Sequence, residues 1–342
     1  MGYTLILGVA VFAASVLLTH VTRRRALAHG QIDVPNHRSS HSVPTPRGGG
    51  LAIVVAATAG ILLTGLAGPV SGRLLLAMLG GLPIALIGFI DDRRSVSAAV
   101  RLAVHFCTAG FALALLGGAP PLQVGGVVMQ WGAVGAVLSA LTIVWTINLF
   151  NFMDGIDGLA ASEAIFVLGA AAVLAVLSGH PSGLLAPQLL LAAACLGFLV
   201  WNWPPARIFM GDVGSGYLGY ALAVLAIASG RENPVAPLAW LTLGGVFFVD
   251  ATLTLVRRAG RGERLGEAHR SHAYQWLARR WRSHRRATLA VAALNVGWLL
   301  PCAWLETVMP RYAASIACAA MVPVAVLALW AGAGRKDADR AN

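Results

Sequence analysis

Long apolar runs separated by short polar segments form the dominant pattern of this chain. About eleven runs have the length, roughly 17–22 residues, that crosses the hydrocarbon core of a bilayer. They predict transmembrane helices over 3–21, 50–68, 73–90, 98–117, 132–151, 159–178, 184–203, 214–230, 237–256, 287–305 and 312–332. We therefore expect an all-α polytopic membrane protein with ten to eleven spans, forming a single integral membrane domain over 1–342.

Composition strengthens this interpretation. Of the 342 residues, 58% are hydrophobic and only 11% are charged, which is unlike a soluble domain of this length. The first run lacks a preceding basic segment and is too long for a signal-peptide core, so we interpret it as a retained span. The four cysteines lie inside apolar runs without CxxC spacing, which favours buried packing over a disulfide or metal site; they are Cys107, Cys195, Cys302 and Cys318.

The net charge of +11 reports topology, because the basic residues lie beside the spans and form no separate nucleic-acid-binding domain. Alternation of the spans assigns 22–49, 91–97, 152–158, 204–213, 257–286 and the tail after 332 to one side. That side holds all but three of the 25 Lys and Arg residues, the exceptions being Arg73, Arg231 and Arg311. The positive-inside rule makes it the cytoplasm, with the N-terminus outside, and we expect a bacterial inner-membrane location.

Most acids fall on the same predicted side. They are Asp33, Asp91, Asp92, Asp154, Asp157, Asp212, Glu263 and Glu267, whereas the outer loops hold Glu232 and Glu306. An ion or proton pathway would place ionisable groups at several depths within the spans, and only Asp250, about two turns from Arg257, comes near that. This distribution favours an enzyme with an active site in cytoplasmic loops over a transporter.

An aspartate pair, Asp91 and Asp92, ends the third predicted span in the stretch GFIDDRRSV. Acids at a helix C-terminus oppose the helix dipole, so a divalent cation or a proton-transfer role would explain the placement. An ordinary solvated helix end is the alternative.

A second acidic stretch, NFMDGIDGLA, follows the fifth span. Asp154 and Asp157 are three residues apart and would share one face of a helical turn, which Asn151 would extend. Gly155 and Gly158 allow a tight turn or a close approach of backbone. A simple Asp-Gly turn with a helix cap is the alternative, although it needs one acid and not two.

The third acidic stretch is RIFMGDVGSGYLGY. Asp212 precedes a Gly-Ser-Gly entry into the eighth span, where free backbone N–H groups could bind phosphate, unless Asp212 only caps the helix. Phe209 could stack on a nucleobase or be an interfacial aromatic residue.

Two basic loops complete the candidate site. PNHRSSHSVPTPRGGGLAI carries Arg47 and Gly49, and it could fold against a phosphate-bearing ligand or act as a flexible linker. GERLGEAHRSHAYQWLARRW offers His269, Arg270 and His272, while its later arginines and tryptophans suit lipid headgroups.

Hard carboxylates suit Mg²⁺, with Mn²⁺ as an alternative, and Arg, His and glycine-rich backbone suit phosphates. Together they indicate phosphoryl transfer to a membrane-bound acceptor. Because the sequence contains no P-loop, Rossmann or kinase motif, the nucleotide is expected to be a substrate.

The chain resembles the polyprenyl-phosphate N-acetylhexosamine-1-phosphate transferases over about Asp33 to Gln275. The resemblance is carried by three motifs in this order: the aspartate pair, NFMDGIDGLA and FMGDVGSG. The family includes the phospho-MurNAc-pentapeptide translocase and the GlcNAc-1-phosphate transferases. The resemblance implies that a UDP-N-acetylhexosamine and undecaprenyl phosphate react, with Mg²⁺, to give undecaprenyl-diphospho-sugar and UMP. It also makes a homodimer plausible.

The resemblance implies roles for individual residues. Asp212 would be the principal metal ligand, with Asp154 beside it, and Asp91 and Asp92 would hold or activate the lipid phosphate. The nucleotide-diphosphate site would be shaped by Asn151, Asp154 and Asp157, with Phe209 near uracil, Arg47 and Gly49 in the Pro and Gly-Gly segment, and Arg270 and His272 positioning the diphosphate.

One departure from the family pattern bears on the substrate. Where many members carry His-x-His-His, this chain has HRSHAYQ, which retains His272 and places Tyr274 where a later histidine is expected. This sequence resembles that of the O-antigen-initiating enzymes more than that of the peptidoglycan enzymes.

Two other enzyme families are excluded: Ala161 lacks the arginine of the CDP-alcohol phosphotransferase motif, and Arg93-Arg94-Ser95 breaks the isoprenoid-synthase DDxxD pattern. A transporter or flippase of a lipid-linked sugar remains the alternative.

Overall fold

A computed structural model describes residues 2–35, 43–68, 70–179, 183–232, 235–264, 266 and 269–336. The predictions for residues 36–42 of the first basic loop, and for Glu267, lie outside the described residues.

The helices are α1 (Gly2–Ala28), α2 (Gly50–Leu66), α3 (Gly72–Leu79), α4 (Gly81–Asp91), α5 (Ala98–Leu116), α6 (Gly132–Met153), α7 (Leu159–Leu177), α8 (Leu185–Asn202), α9 (Asp212–Glu232), α10 (Pro237–Leu243), α11 (Gly245–Ala259), α12 (Ala273–Trp281), α13 (His284–Leu294), α14 (Leu300–Val308) and α15 (Ala313–Ala331). Two antiparallel strand pairs join β1 (Ile32–Asp33) to β2 (Thr45–Pro46), and β3 (Leu122–Val124) to β4 (Val127–Met129).

The predicted all-α membrane architecture is confirmed. By length and composition, nine helical stretches in the described residues can cross a membrane, and counting α10 with α11 as one bent span makes ten. Helix α2 is also apolar but has only 17 residues. Each predicted span therefore coincides with helix, although not every one is a full-length straight span.

The ninth predicted span, 237–256, is not straight. Helices α10 and α11 meet at an angle of 76°. The break lies at Gly244 and Gly245, and the absence of a side chain at Gly245 lets Met321 pack within 3.1 Å of where a Cβ would be. A glycine pair is a common cause of sharp helix kinks, so the predicted span 237–256 consists of two helices at an angle and not of one continuous helix.

The tenth predicted span is also irregular. Between α13 and α14, residues Asn295–Leu299 form a π-helical segment. Pro301 follows in the first turn of α14 and has no N–H to continue the preceding ladder, which accounts for the local change in hydrogen bonding.

Helix α9 forms the centre of the bundle, and nearly all of its residues are buried. Small residues let its neighbours approach closely: a Cβ on Gly50 of α2 would lie 2.7 Å from the Gly214 nitrogen, and one on Gly88 of α4 would lie 2.7 Å from the Val213 nitrogen. Glycine-mediated packing of this kind is typical of membrane helices. It brings the end of α4 directly against the start of α9.

The loops that alternation of the spans assigns to one side meet at one end of the bundle. Arg23 Nε donates to the carbonyl of Arg207 at 3.1 Å, and the N–H of Gly49 donates to the carbonyl of Phe209 at 2.8 Å. This end also holds the acidic stretches. Its orientation towards the cytoplasm stays a prediction from the distribution of basic residues.

Candidate active site

Three aspartates and two arginines form an ionic cluster where α4, α5 and α9 meet. Arg47 bridges two carboxylates, with Nε 3.0 Å from Asp92 Oδ1 and Nη2 2.9 Å from Asp212 Oδ1. Arg101 pairs with Asp91 and lies 3.8 Å from Asp212 Oδ2. The structure therefore joins acids from two separate motifs through shared guanidinium groups.

The approach of α4 to α9 determines how Asp92 is held. The backbone N–H groups of Asp212 and Val213 donate to Asp92 Oδ1 and Oδ2 at 3.0 and 3.2 Å. The expectation that this helix entry offers free N–H groups to a phosphate is therefore wrong for these two groups. Asp92 directly follows the last residue of α4 but faces the positive end of α9, which together with Arg47 offsets the unfavourable dipole of α4.

Asp91 is held by different partners. Its carboxylate accepts the backbone N–H of Val96 at 2.6 Å and pairs with Arg101 from α5. Sequence reasoning missed Arg101. Its signal was a lone arginine one turn inside an otherwise apolar span, a position where an ionisable residue calls for a partner.

The NFMDGIDGLA stretch is not one helical turn, so the predicted helical face is wrong. Helix α6 ends at Met153, and Asp154 has non-helical dihedral angles. Gly158 has φ +75°, a conformation that favours glycine and begins α7. Asp154 and Asp157 nevertheless line the same cavity, because the turn directs both into it.

Asp157 is fixed by α13 and by the segment before α9. His284 Nδ1 lies 3.1 Å from Asp157 Oδ1, and the N–H of Ala206 donates to Asp157 Oδ2 at 3.0 Å. Thr288 also donates to the carbonyl of Asp157 at 3.1 Å. Sequence reasoning missed His284, which carries no motif and lies 127 residues from Asp157 along the chain.

Asp154 differs from the other aspartates. Within the described part of the chain its carboxylate forms no hydrogen bond or ion pair. Burial raises the pKa of Asp154 well above its usual value; Arg47 opposes this rise, and the nearby carboxylates of Asp212, Asp92 and Asp157 add to it. A buried carboxylate among like charges is the type of oxygen donor that a divalent cation would stabilise.

The available oxygen donors suit Mg²⁺ better than they suit a metal ion that is coordinated by protein side chains alone. No group of three or more His, Cys, Asp or Glu side chains in the described residues has the geometry of a metal site. Mg²⁺ commonly takes one or two carboxylates and completes its shell with water and substrate phosphates. Asp154 and Asp212, which face the same cavity, are the two residues that would hold it.

We call this space the acidic cavity. Its volume is about 240 Å³. It is lined by Asp33, Arg47, Asn151, Asp154, Gly155, Ile156, Asp157, Asn202, Phe209, Gly211, Asp212, Gln275 and His284. Six of the predicted site residues line this cavity: Arg47, Asn151, Asp154, Asp157, Phe209 and Asp212. Asp92 lies behind Arg47, whose guanidinium it contacts, and Asp91 pairs with Arg101.

The glycine-rich segment before α2 is a packing element. The N–H groups of Gly49 and Gly50 donate to the carbonyls of Phe209 and Met210 at 2.8 and 2.9 Å, and a Cβ on Gly49 would lie 2.7 Å from the Phe198 ring. Gly49, predicted to bind substrate, does not line the acidic cavity. It instead holds the segment so that Arg47 reaches the aspartates.

Burial lowers the pKa of Arg47, but the charges of Asp92 and Asp212 outweigh this effect, so its pKa is raised overall. Arg47 is therefore a permanent cation within the acidic cavity.

A larger groove of about 840 Å³ adjoins the acidic cavity, and we call it the apolar groove. Its lining combines a polar end with hydrophobic side chains of α5, α6 and α11: Ala98, Arg101, Leu102, Leu141, Val144, Trp145, Asn148, Asn151, Phe152, Gly155, Leu255, Gly266, His269, His272, Tyr274 and Gln275. His272 lies at the polar end. Arg270 lines neither cavity, and its carbonyl accepts a hydrogen bond from Arg279 Nη1 at 3.0 Å.

A third space of about 550 Å³, the basic cavity, opens on the other side. It is lined by Val43, Thr45, Asp157, Pro204, Pro205, Ala206, Phe209, Ala278, Arg279, Arg282, Ser283, His284 and Arg285. Asp157, Phe209 and His284 line both this space and the acidic cavity.

Comparison with known proteins identifies the relatives of this chain. The model of the family described as glycosyl transferase family 4 matches residues 74–230. A probable undecaprenyl-phosphate N-acetylglucosaminyl 1-phosphate transferase of Bacillus subtilis is 31% identical, covering 81% of this chain and 77% of that protein. A decaprenyl-phosphate N-acetylglucosaminephosphotransferase of Mycolicibacterium smegmatis is 32% identical (84% and 78%), and a phospho-N-acetylmuramoyl-pentapeptide-transferase of Moorella thermoacetica is 35% identical (68% and 75%).

Proposed function

Because the chain belongs to glycosyl transferase family 4, among the polyprenyl-phosphate N-acetylhexosamine-1-phosphate transferases, we propose that it transfers a sugar 1-phosphate from a UDP-N-acetylhexosamine to undecaprenyl phosphate. UMP and undecaprenyl-diphospho-sugar are the products. The excess of Lys and Arg in the loops on one side supports a reaction at the cytoplasmic surface of a bacterial inner membrane.

One observation carries the proposal: the apolar groove and the acidic cavity share a wall. Asn151, Gly155 and Gln275 line both. A polyprenyl chain in the groove, with Leu102 and Leu141 against its hydrocarbon, would present its phosphate to the aspartates. The arrangement suits an acceptor that is apolar along its length and anionic at one end.

The reaction balances without an external oxidant or base. An ionised oxygen of the lipid phosphate attacks the β-phosphorus of the UDP-sugar, and a new P–O bond forms. The bond between that phosphorus and the oxygen bridging to the α-phosphorus breaks, and UMP leaves with that oxygen and its electron pair. Asp91 and Asp92 need not remove a proton, because the attacking phosphate oxygen is already ionised; each of them is instead paired with an arginine.

Two anions must approach each other in this reaction, and cations would reduce the repulsion. When bound, Mg²⁺ supplies charge neutralisation at the reacting phosphates. Arg47 and Arg101 hold the aspartates in fixed positions, and 39% and 38% of their side chains are exposed, so both arginines could also contact a substrate phosphate.

The donor nucleotide is expected on the side of the basic cavity. Phe209 lies between this cavity and the acidic one, where its ring could stack on uracil. Arg279, Arg282 and Arg285 give the same space a positive lining that suits an anionic sugar nucleotide. The choice among N-acetylhexosamines depends on few contacts. The sequence HRSHAYQ supports an O-antigen-initiating role.

The direct test is release of UMP by purified protein in detergent with undecaprenyl phosphate and a panel of UDP-sugars, each with and without EDTA. We expect UMP release with an N-acetylhexosamine donor, and its loss in EDTA with recovery on added Mg²⁺. Substrate movement across proteoliposomes without UMP release would instead support the flippase alternative.

The apolar groove has its own test. Leu141→Gln should raise the KM for undecaprenyl phosphate about 10-fold, because it puts an amide against the proposed polyprenyl chain, while the KM for the donor stays unchanged. Leu138→Gln is the matched control, since Leu138 is also exposed on α6 but does not line the groove. Equal effects of both substitutions would contradict this use of the groove.

A further inference from the structure

Asp250 is a buried acid of α11 that the proposed mechanism does not use. It is 2% exposed and lies in the half of the bent span that follows Gly245. A carboxylate this deep is costly to bury unless several donors hold it. Its partners therefore indicate why it is there.

The carboxylate of Asp250 holds the first turn of α12. The backbone N–H of Ala273 donates to Oδ1 at 2.9 Å, and the N–H of Tyr274 donates to Oδ2 at 3.1 Å. Thr254, one turn along α11, donates its hydroxyl to Oδ1 at 3.1 Å. These bonds engage both carboxylate oxygens, and they join the bent span to the loop that carries the histidine motif.

The same carboxylate faces His272. Nδ1 of His272 lies 3.4 Å from Asp250 Oδ1, and the imidazole is 2% exposed. The ring stacks against Phe152, His269 and Tyr274, with centroid distances of 6.3, 4.9 and 5.7 Å. With the Nδ1 edge turned to Asp250, the Nε2 edge is left for the apolar groove, which His272 lines.

The first turn of α12 also supports the loop that carries Asp154. The Tyr274 hydroxyl donates to the carbonyl of Phe152 at 2.9 Å, and Gly155 passes so close to this hydroxyl that no Cβ fits there. Moving the start of α12 would therefore displace both His272 and the turn beside Asp154.

We propose that Asp250 is a positioning residue for the transfer reaction, which sets the ring of His272 and the turn after α6 through the N-terminus of α12. It touches neither the acidic cavity nor the apolar groove, so it acts through these two elements. This inference rests on the proposed function, since its readout is the transfer reaction.

The test compares two buried acids. In Asp250→Asn, an NH₂ group replaces one carboxylate oxygen, so one of the two backbone N–H groups loses its acceptor. We therefore expect kcat to fall about 10- to 100-fold, with less than a 3-fold change in the KM of either substrate. Glu306→Gln is the matched control: Glu306 is 0% exposed, bonds to Thr242 Oγ1 at 2.6 Å and lies away from both cavities. It should leave kcat within about 2-fold of the wild type at a similar loss of thermal stability.

A double-mutant cycle separates positioning from general destabilisation. Because Asp250 is proposed to set the ring of His272, Asp250→Asn should lower kcat by a smaller factor in a His272→Ala background than in the wild type. Thr254→Val, a milder change, should show a smaller loss with the same kcat-specific pattern. The proposal would be overturned if Asp250→Asn lowered kcat by the same factor in the wild type and in His272→Ala, or if Glu306→Gln lowered kcat as much as Asp250→Asn does. A wild-type protein that releases no UMP would refute the proposed function instead.

Discussion

Acids at the site and acids inside the spans are held in different ways. At the site, Asp92 and Asp212 share the guanidinium of Arg47, and Asp212 borders the acidic cavity. Within the spans, Glu163 of α7 accepts a hydrogen bond from Asn295 Nδ2 at 2.6 Å. Glu306 lies in α14 and not in an outer loop as predicted, and it accepts a hydrogen bond from the Thr242 hydroxyl at 2.6 Å. One oxygen of each glutamate finds no further partner among the described residues.

The difference teaches which acids carry chemistry. Burying a charged group within a bilayer costs on the order of 2.5–3.5 kcal/mol even on insertion scales. Cations offset that cost at the site, where charge is needed to organise phosphates. The span glutamates lack such partners in the described structure, so we assign them to packing, Glu163 beside the π-helical segment and Glu306 beside the bend at Gly244.

The strongest expected contrast is at Asp212. Asp212→Asn keeps the size of the side chain but removes the charge that would hold the metal, so activity should fall about 1,000-fold or more while the protein stays folded. UMP release and a thermal melt of the same preparation check this. Full activity of Asp212→Asn at an ordinary Mg²⁺ concentration would contradict the assignment of Asp212 as a metal ligand.

The cation that distinguishes the site acids is the next target. Arg47→Ala leaves Asp92 and Asp212 without their shared partner, and we expect about a 100-fold loss of kcat/KM. Arg47→Lys should recover only part of it, because a single ammonium cannot reproduce the bridging fork. Arg73→Ala, an exposed arginine at the opposite end of the bundle, serves as the control and should leave kcat/KM unchanged.

A smaller effect is expected where an aspartate has a histidine partner. His284→Ala removes the ring that contacts Asp157 and should raise the KM of the UDP-sugar about 10-fold, because Asp157 and His284 both border the basic and acidic cavities. The KM for undecaprenyl phosphate should not change. An effect confined to the lipid substrate would contradict placing the donor on this side.

The span glutamates should give the smallest effect. Glu163→Gln retains a polar group that can bond Asn295, so kcat should stay within about 2-fold of the wild type and the melting temperature should shift by only a few degrees. A loss of activity comparable to that of Asp212→Asn would break the distinction between the two classes of acid.

Much of the fold follows from the apolar pattern, because lipid-facing length and composition strongly constrain where helices can lie. Every predicted span is helical, yet the pattern gave no bend at Gly244 and no π-helical segment after Asn295. These irregularities depend on packing, such as the contact of Met321 with Gly245. A glycine pair in a span was nonetheless a visible signal.

The candidate site was predictable in its acids and less so in their partners. Local motifs identified Asp91, Asp154 and Asp212, since acids beside apolar runs stand out. Arg101 and His284 were missed because their roles arise only when α5 and α13 pack beside the acidic stretches. The N–H groups of α9 were mistaken for free donors, because sequence does not show that Asp92 reaches them.

The central claim is that phosphorus moves with the sugar, and it can be measured directly. The protein is incubated with undecaprenyl phosphate, Mg²⁺ and a UDP-N-acetylhexosamine labelled with ³²P at the β-phosphate, and the lipid and aqueous products are separated. The account predicts label in the lipid fraction with an equal amount of UMP in the aqueous one. Label that stays aqueous as UDP, with sugar alone in the lipid, would contradict it.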